Sequence, residues 1–227
     1  MAEIYKRLSF LQRHPGMTLP QFHAYYLQHH GPLAAAQPGF RRYAYGYVQN
    51  HVLQPQAGRI AAFDGLTCTY QVPRSDYTRG FFNTEDYRQV VRPDEERVFD
   101  LNATRSVLAI EAAAIGARDA AVKYLLLCDL AEQAIPHCLQ QCAALPGFRG
   151  AAFNRLLVQT ASGLGGGNAQ GFGYGSLLEV WLASEAPVRG DDLAAKLSPE
   201  DAGALALRVE QHVIYMLDRP TGLLPQD

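Results

Sequence analysis

Phe22, Tyr26 and His30 recur at every fourth residue, in a stretch that ends on the pair His29-His30 and then Gly31-Pro32. On a helix that spacing puts all three on one face, with a phenol one turn below an imidazole. Imidazole titrates near neutrality and a phenol can hold or relay a proton, so Tyr26 and His30 suit general acid–base work. The competing reading has His30 capping the carboxyl end of the helix and gaining from its dipole. His29 is read as part of a solvated face. Asp64, followed by Gly65, is placed to orient His30 or to hold a substrate hydroxyl; Asp-Gly is also ordinary turn chemistry. Arg13, ending an apolar run, suits an enolate or carboxylate, against the plain alternative of an arginine in water. Asn50 and His51 extend a later run toward the same end.

These residues need a strand, a turn and a capped helix to position them. Tyr5–Arg13 reads as the strand. Thr18 caps the helix that follows, Gln21 answers it three residues on, and Pro20 falls in the first turn, where no amide is missed. Gly31-Pro32 is expected to break that helix just beyond His30.

The pattern then repeats. Pro38-Gly39-Phe40-Arg41 returns as Pro146-Gly147-Phe148-Arg149. Helical stretches precede the two copies (18–36 and 130–144), and apolar strands precede those (5–13 and 122–129). Strands follow at 43–49 and 66–72, and at 151–158 and 176–182. Helices are expected at 84–99 and 199–211, the latter opened by Ser198-Pro199-Glu200-Asp201, and last strands at 105–112 and 212–217. Both halves read β-α-β-β-α-β, the ferredoxin-like order. The expected fold is α+β: tandem ferredoxin-like repeats at 1–115 and 116–227, forming an α+β barrel within one chain. The glycine-rich run 163–175 lacks a following Lys-Ser/Thr and a helix, so it reads as a hairpin loop rather than a phosphate cradle.

Helices cover one side of such a sheet, and the other side needs a partner. Two sheets curled together enclose a cavity whose lining follows strand parity. Leu8, Phe10, Leu66, Cys68, Tyr70 and Val72 are expected under the helices, with Arg7, Ser9, Leu11, Thr67, Thr69 and Gln71 facing the cavity. Tyr43, Tyr45 and Tyr47 share one face, and three phenols are costly to bury dry. Glu179 and Trp181 are expected to look inward from the second half, and His212 with Glu179 gives that half its best inward polar groups. The pocket is aromatic with a few hydroxyls and charges, which suits a flat, oxygenated small molecule.

Composition narrows the classes. The chain has 227 residues, 48% hydrophobic and 19% charged, with a net charge of −2, so nothing basic is on offer to a nucleic acid. The amino terminus lacks the apolar core of a signal peptide. No run nears the roughly 18 apolar residues of a membrane span. Cys68, Cys128, Cys138 and Cys142 form no CxxC pair, which fits a reduced, cytoplasmic setting. Cys138 and Cys142 with His137 are too few ligands for zinc.

Lys6-x-Leu8-x-Phe10-Leu11-x-Arg13, Pro15-Gly16-Met17-Thr18, Phe22, Tyr25-Tyr26, His30-Gly31-Pro32-Leu33 and Asp64-Gly65 resemble the EthD domain family, of the dimeric α+β barrel superfamily. The resemblance continues through Asp86-Tyr87, Val90-Val91, Pro93-Asp94-Glu95 and Phe99-Asp100, where the segment is similar to fungal EthD-type dehydratases of aromatic polyketide pathways. It covers about residues 4–112; the second half keeps only the architecture and the Pro-Gly-Phe-Arg echo. The resemblance implies that His30 is the family histidine and Asp64 a family acid. It also implies a superfamily of dehydratases, cyclases, isomerases and cofactor-free monooxygenases, with one-domain members pairing as dimers; a homodimer therefore stays open for this chain.

The function expected is a cofactor-independent lyase, cyclase or isomerase of dehydratase type, acting on an aromatic or polyketide-like small molecule. His30, aided by Tyr26 and Asp64, moves the proton; Arg13, Tyr43, Tyr45, Tyr47, Asn50, His51 and Trp181 hold the substrate. No cofactor or metal is demanded. The alternatives are a cofactor-free monooxygenase of a phenol, and a non-catalytic carrier or haem-binding protein with His30 as axial ligand.

Overall fold

The structure, a computed structural model, describes residues 3–71, 80–119, 122–163, 172–183 and 188–217. The first half runs β1 (Ile4–Leu11), α1 (Leu19–Tyr25), a π turn (Tyr26–His30), α2 (Gly31–Ala36), α3 (Pro38–Tyr43), β2 (Ala44–Val52) and β3 (Gly65–Gln71). A second π turn (Tyr87–Val91), α4 (Arg92–Val98) and β4 (Arg105–Gly116) complete it. The second half runs β5 (Val122–Cys128), α5 (Ile135–Ala143), β6 (Phe148–Gly163), β7 (Ser176–Leu182), α6 (Gly190–Leu197) and β8 (Leu205–Met216). The eight strands close into one antiparallel barrel in the order β1-β3-β2-β8-β5-β7-β6-β4. Within each half the strand order is the same, and the halves join by β2 pairing β8 and β4 pairing β6. Closure therefore uses the sheet edges that a one-domain protein would offer to a second copy. Among the described residues no helix is long and apolar enough to cross a membrane.

Local chemistry explains the first helix. Thr18 and Gln21 form the capping box that the sequence predicts. Gly31-Pro32 does not stop the helix, however. The chain widens into the π turn, where the Gly31 N–H reaches the Tyr26 carbonyl, and α2 then resumes with Pro32 in its first turn. Gln49 on β2 explains the glycine: its amide donates to the Tyr26 carbonyl at 2.8 Å, and a Cβ on Gly31 would meet its Nε2 at 2.7 Å.

Two expectations are corrected. The last helix is Gly190–Leu197, and 205–211, expected as helix, is the start of β8. Ser198-Pro199-Glu200-Asp201 imitates a helix start but forms a turn, in which the Asp201 N–H donates to the Ser198 carbonyl at 3.1 Å. The Asp201 carboxylate there accepts from the backbone N–H groups of Asp129 and Gly203. The glycine-rich run falls largely at 164–171, outside the described residues.

The second correction concerns the barrel interior, which is a packed core rather than a cavity. Leu8, Phe10, Leu66, Cys68 and Tyr70 join Leu125, Leu127, Leu177, Leu207 and Val209 there. Arg7, Ser9, Leu11, Thr67 and Thr69 face the helices. Alternation separates the two sets of a strand, but it cannot say which set faces which side when both sides are buried. In the second half the expected assignment holds: Leu178, Val180 and Leu182 pack beneath α5 and α6, and Glu179 and Trp181 point inward. Lys6 donates to Glu179 at 2.7 Å and pairs with Glu111 at 2.8 Å. Lys123 donates to Glu179, Asn50 and Gln211, each at 2.8 Å. This buried network joins β1 and β2 to β5, β7 and β8, so its hydrogen bonds form only in one register of the two halves.

Candidate active site

The site lies between the outer face of the first sheet and its helices. His30 ends the π turn and is 5% exposed. Its Nδ1 lies 2.7 Å from Asp94 Oδ2, and the other Asp94 oxygen accepts from the Tyr25 hydroxyl at 2.6 Å. His29 approaches that same oxygen at 3.3 Å from a half-exposed position. Asp94 stands in the first turn of α4 behind Pro93, where the helix dipole favours a carboxylate. Burial would push its carboxyl up, but the hydrogen bonds from His30 and Tyr25 outweigh burial and hold it below the usual range. An ionised Asp94 makes Nδ1 the protonated nitrogen and leaves the Nε2 lone pair free to accept. The Phe99 ring, edge-on at 5.0 Å, fixes the plane of the imidazole.

His30 opens on a cavity of about 50 Å³. Glu95, the next residue after Asp94, lines the same cavity from a different side of α4, and Arg7 lines it from β1. Glu95 Oε2 accepts from the Tyr87 hydroxyl at 2.7 Å. Burial pushes its carboxyl up, and His30, Tyr87, Arg92 and Arg7 offset this only in part. Adjacent carboxylates are thus driven apart: Asp94 toward the charged form, Glu95 toward the neutral one. The Arg7 guanidinium stacks over Phe82 at 5.0 Å. Ser9, Thr67, Thr69 and the Tyr47 phenol supply hydroxyls, while Phe40, Phe81 and Phe82 form an aromatic wall.

The structure distributes the residues singled out from sequence over six places. His30 and Tyr47 line the cavity. Tyr26 lies just behind it, fully buried, stacked between Phe22 and His51 and hydrogen-bonded through its hydroxyl to Thr67. Tyr45, Asn50 and Trp181 belong to the barrel interior: Tyr45 beside Tyr70, Asn50 on Lys123, and Trp181 over Lys123 and donating to Gln211 at 3.1 Å. A bulge between Ala44 and Gly46 splits the tyrosine stripe, turning Tyr45 in and Tyr47 out. Tyr43 ends α3 against Gly80. Asp64 pairs with Arg13 and also accepts from its backbone N–H at 2.9 Å; the carboxylate on His30 is Asp94 instead. His51 sits between the rings of His23 at 4.6 Å and His212 at 4.5 Å.

Asp94 and Glu95 were not chosen as site residues from sequence, and Arg7 was expected only to face a cavity inside the barrel. Pro93-Asp94-Glu95 carries the signal of a helix start, which disguises its chemistry. Among the described residues no cluster of His, Cys, Asp and Glu is fit to hold a metal ion.

A closed eight-stranded barrel with helices outside each ferredoxin-like half is the dimeric α+β barrel fold, here completed by one chain. Residues 14–102 match the EthD domain. No curated protein matches the sequence. Along nearly its whole length the chain is similar to a solved anthrone oxidase-like protein, at 11% identity, 96% of this chain, 97% of that one and a TM-score of 0.56. A "putative monooxygenase" of Fusobacterium nucleatum subsp. nucleatum ATCC 25586 matches at 8% identity, 94% and 93% coverage and a TM-score of 0.55. Another from Lactobacillus acidophilus NCFM matches at 7% identity, 96% and 98% coverage and a TM-score of 0.51. At such identities the likeness is one of fold.

Proposed function

We propose that the chain is a cofactor-independent enzyme that removes a proton beside a carbonyl of an aromatic or polyketide-like small molecule. The enolate so formed then serves a dehydration, ring closure or double-bond shift. The observation that carries this reading is the Tyr25–Asp94–His30 chain of hydrogen bonds, which ends on a cavity lined by Arg7, Glu95 and several hydroxyls. Nε2 takes the proton; Asp94 holds the tautomer and balances the imidazolium. Arg7 stabilises the enolate oxygen in a site where water is scarce. Tyr26 acts as a positioning residue, fixing the Thr67 hydroxyl on the cavity wall. The cavity of about 50 Å³ seats only a few atoms beside His30. A ring system therefore needs more room, which outward movement of Phe81 and Phe82 on the short helical turn Phe81–Asn83 would supply.

Proton exchange tests this without knowledge of the natural substrate. With 1-tetralone in D₂O, the protein should catalyse exchange at the carbon beside the carbonyl, read by NMR. His30→Ala should slow it about 100-fold or more; equal exchange by the variant disproves the reading. The anthrone oxidase-like and monooxygenase names among the structural relatives favour a second reading. There the same deprotonation yields an anion that reacts with oxygen, and His30-dependent oxygen uptake with anthrone would select it.

A further inference from the structure

We infer that Glu95 is the proton donor to a leaving hydroxyl, which makes the site a dehydratase for β-hydroxy ketones. The inference rests on the reading of His30 as base and deepens it. A base alone forms an enolate; expelling hydroxide from the next carbon needs an acid on the other side of the molecule. Glu95 is the acid available for this, because it lines the cavity with His30 but stands outside its hydrogen-bond chain. Asp94 faces His30, Tyr25 and His29, whereas Glu95 faces the cavity and the Tyr87 hydroxyl.

Burial in this wall, beside Val91 and Phe40 and only partly offset by the nearby cations, keeps the proton on Glu95 above the ordinary carboxylate range. Two carboxyls adjacent in sequence thereby take opposite tasks, the pattern by which one site runs acid and base chemistry together. His30 Nε2 takes the proton from the carbon beside the carbonyl, and that electron pair forms the C=C bond. The C–O bond of the hydroxyl breaks, its oxygen takes the Glu95 proton, and water leaves. The imidazolium and the carboxylate then reset by exchanging a proton with solvent.

The probes are 3-hydroxy-1-tetralone and its 3-acetoxy ester; both yield 1-naphthol, read by fluorescence. Hydroxide needs a proton to leave and acetate does not. Glu95→Gln should lower kcat on the hydroxy ketone about 100-fold, and on the acetoxy ketone by at least tenfold less. Equal losses on both probes overturn the proposal while leaving His30 as base. If His30→Ala leaves both rates intact, the underlying reading fails instead. A measurement on the unaltered protein guards against a misfolded variant: the hydroxy ketone rate should fall on an alkaline limb that the acetoxy ketone lacks. A limb shared by both probes counts against Glu95.

Discussion

Under the helices of the first half the sheet presents Arg7, Ser9, Thr67 and Thr69; under those of the second it presents Leu126, Phe153, Leu178 and Val180. Strand order is the same in both. The second face packs Leu139, Cys142 and Leu193 into an apolar core, while the first leaves a polar cavity and points an imidazole into it. Apolar burial contributes about 25 cal/mol per Å², so a polar face under helices gives up stability that a leucine face would supply. The first half thus buries less apolar surface under its helices than the second, whose core is built of leucine, valine and phenylalanine.

The largest break in this comparison should come at Asp94. Asp94→Asn lets the ring flip its tautomer and leaves the imidazolium without a counter-charge, so tetralone exchange should drop about 100-fold or more. Cys138 stands eight residues before the second Pro-Gly-Phe-Arg, as His30 stands eight before the first. It packs in the second core, so Cys138→Ala should leave exchange within about twofold in the same NMR assay. A comparable loss there would mean that the second half does contribute to the site.

Stability should show the reverse ranking. Leu178→Ala removes a fully buried side chain and should cost about 2–5 kcal/mol by urea unfolding. Thr69→Val exchanges a cavity hydroxyl for a methyl and should shift stability by less than about 1 kcal/mol, with turnover reduced. If Thr69→Val were as disruptive as Leu178→Ala, the polar face would be a structural layer and not a site.

What the sequence made legible was mostly local. Thr18 and Gln21 lie three residues apart, and their capping box could be read directly. The order of all eight strands followed from apolar runs and the Pro-Gly-Phe-Arg echo. The orientation of β1 and β3 was not legible, because a strand buried on both faces gives no sign of which neighbour each face meets. Nor was the partner of His30, since Asp94 lies 64 residues away and reaches it only once α4 docks beside the π turn. Asp64 carried the turn signal instead and went to Arg13. The bulge at Tyr45 leaves no mark in a run of alternating tyrosines, yet it sends Tyr45 and Tyr47 to opposite sides.

Acid should act on the histidine stack where β2 meets β8. His51 is 2% exposed, packed against Tyr26 and between His23 and His212, with Glu210 beside His212. Burial, with the two neighbouring imidazoles, pushes its pKa down to about 3. An unfolded chain takes up that proton near pH 6.5, the native one only near pH 3, so between these values unfolding draws a proton from solution. Stability is therefore fully present above pH 6.5 and declines as pH falls, by about 2 kcal/mol from pH 6.5 to 5 for this one group. Asp94, held low, adds a loss only at more acid pH; Glu95, held high, acts oppositely and destabilises as pH rises past the usual carboxylate range. His51→Phe keeps a ring in the stack and should remove close to one proton from the pH slope of urea unfolding. An unaltered slope in His51→Phe would mean that His51 takes its proton in the folded protein as readily as in the open chain, and that the histidine stack is not the acid-sensitive part of the first half.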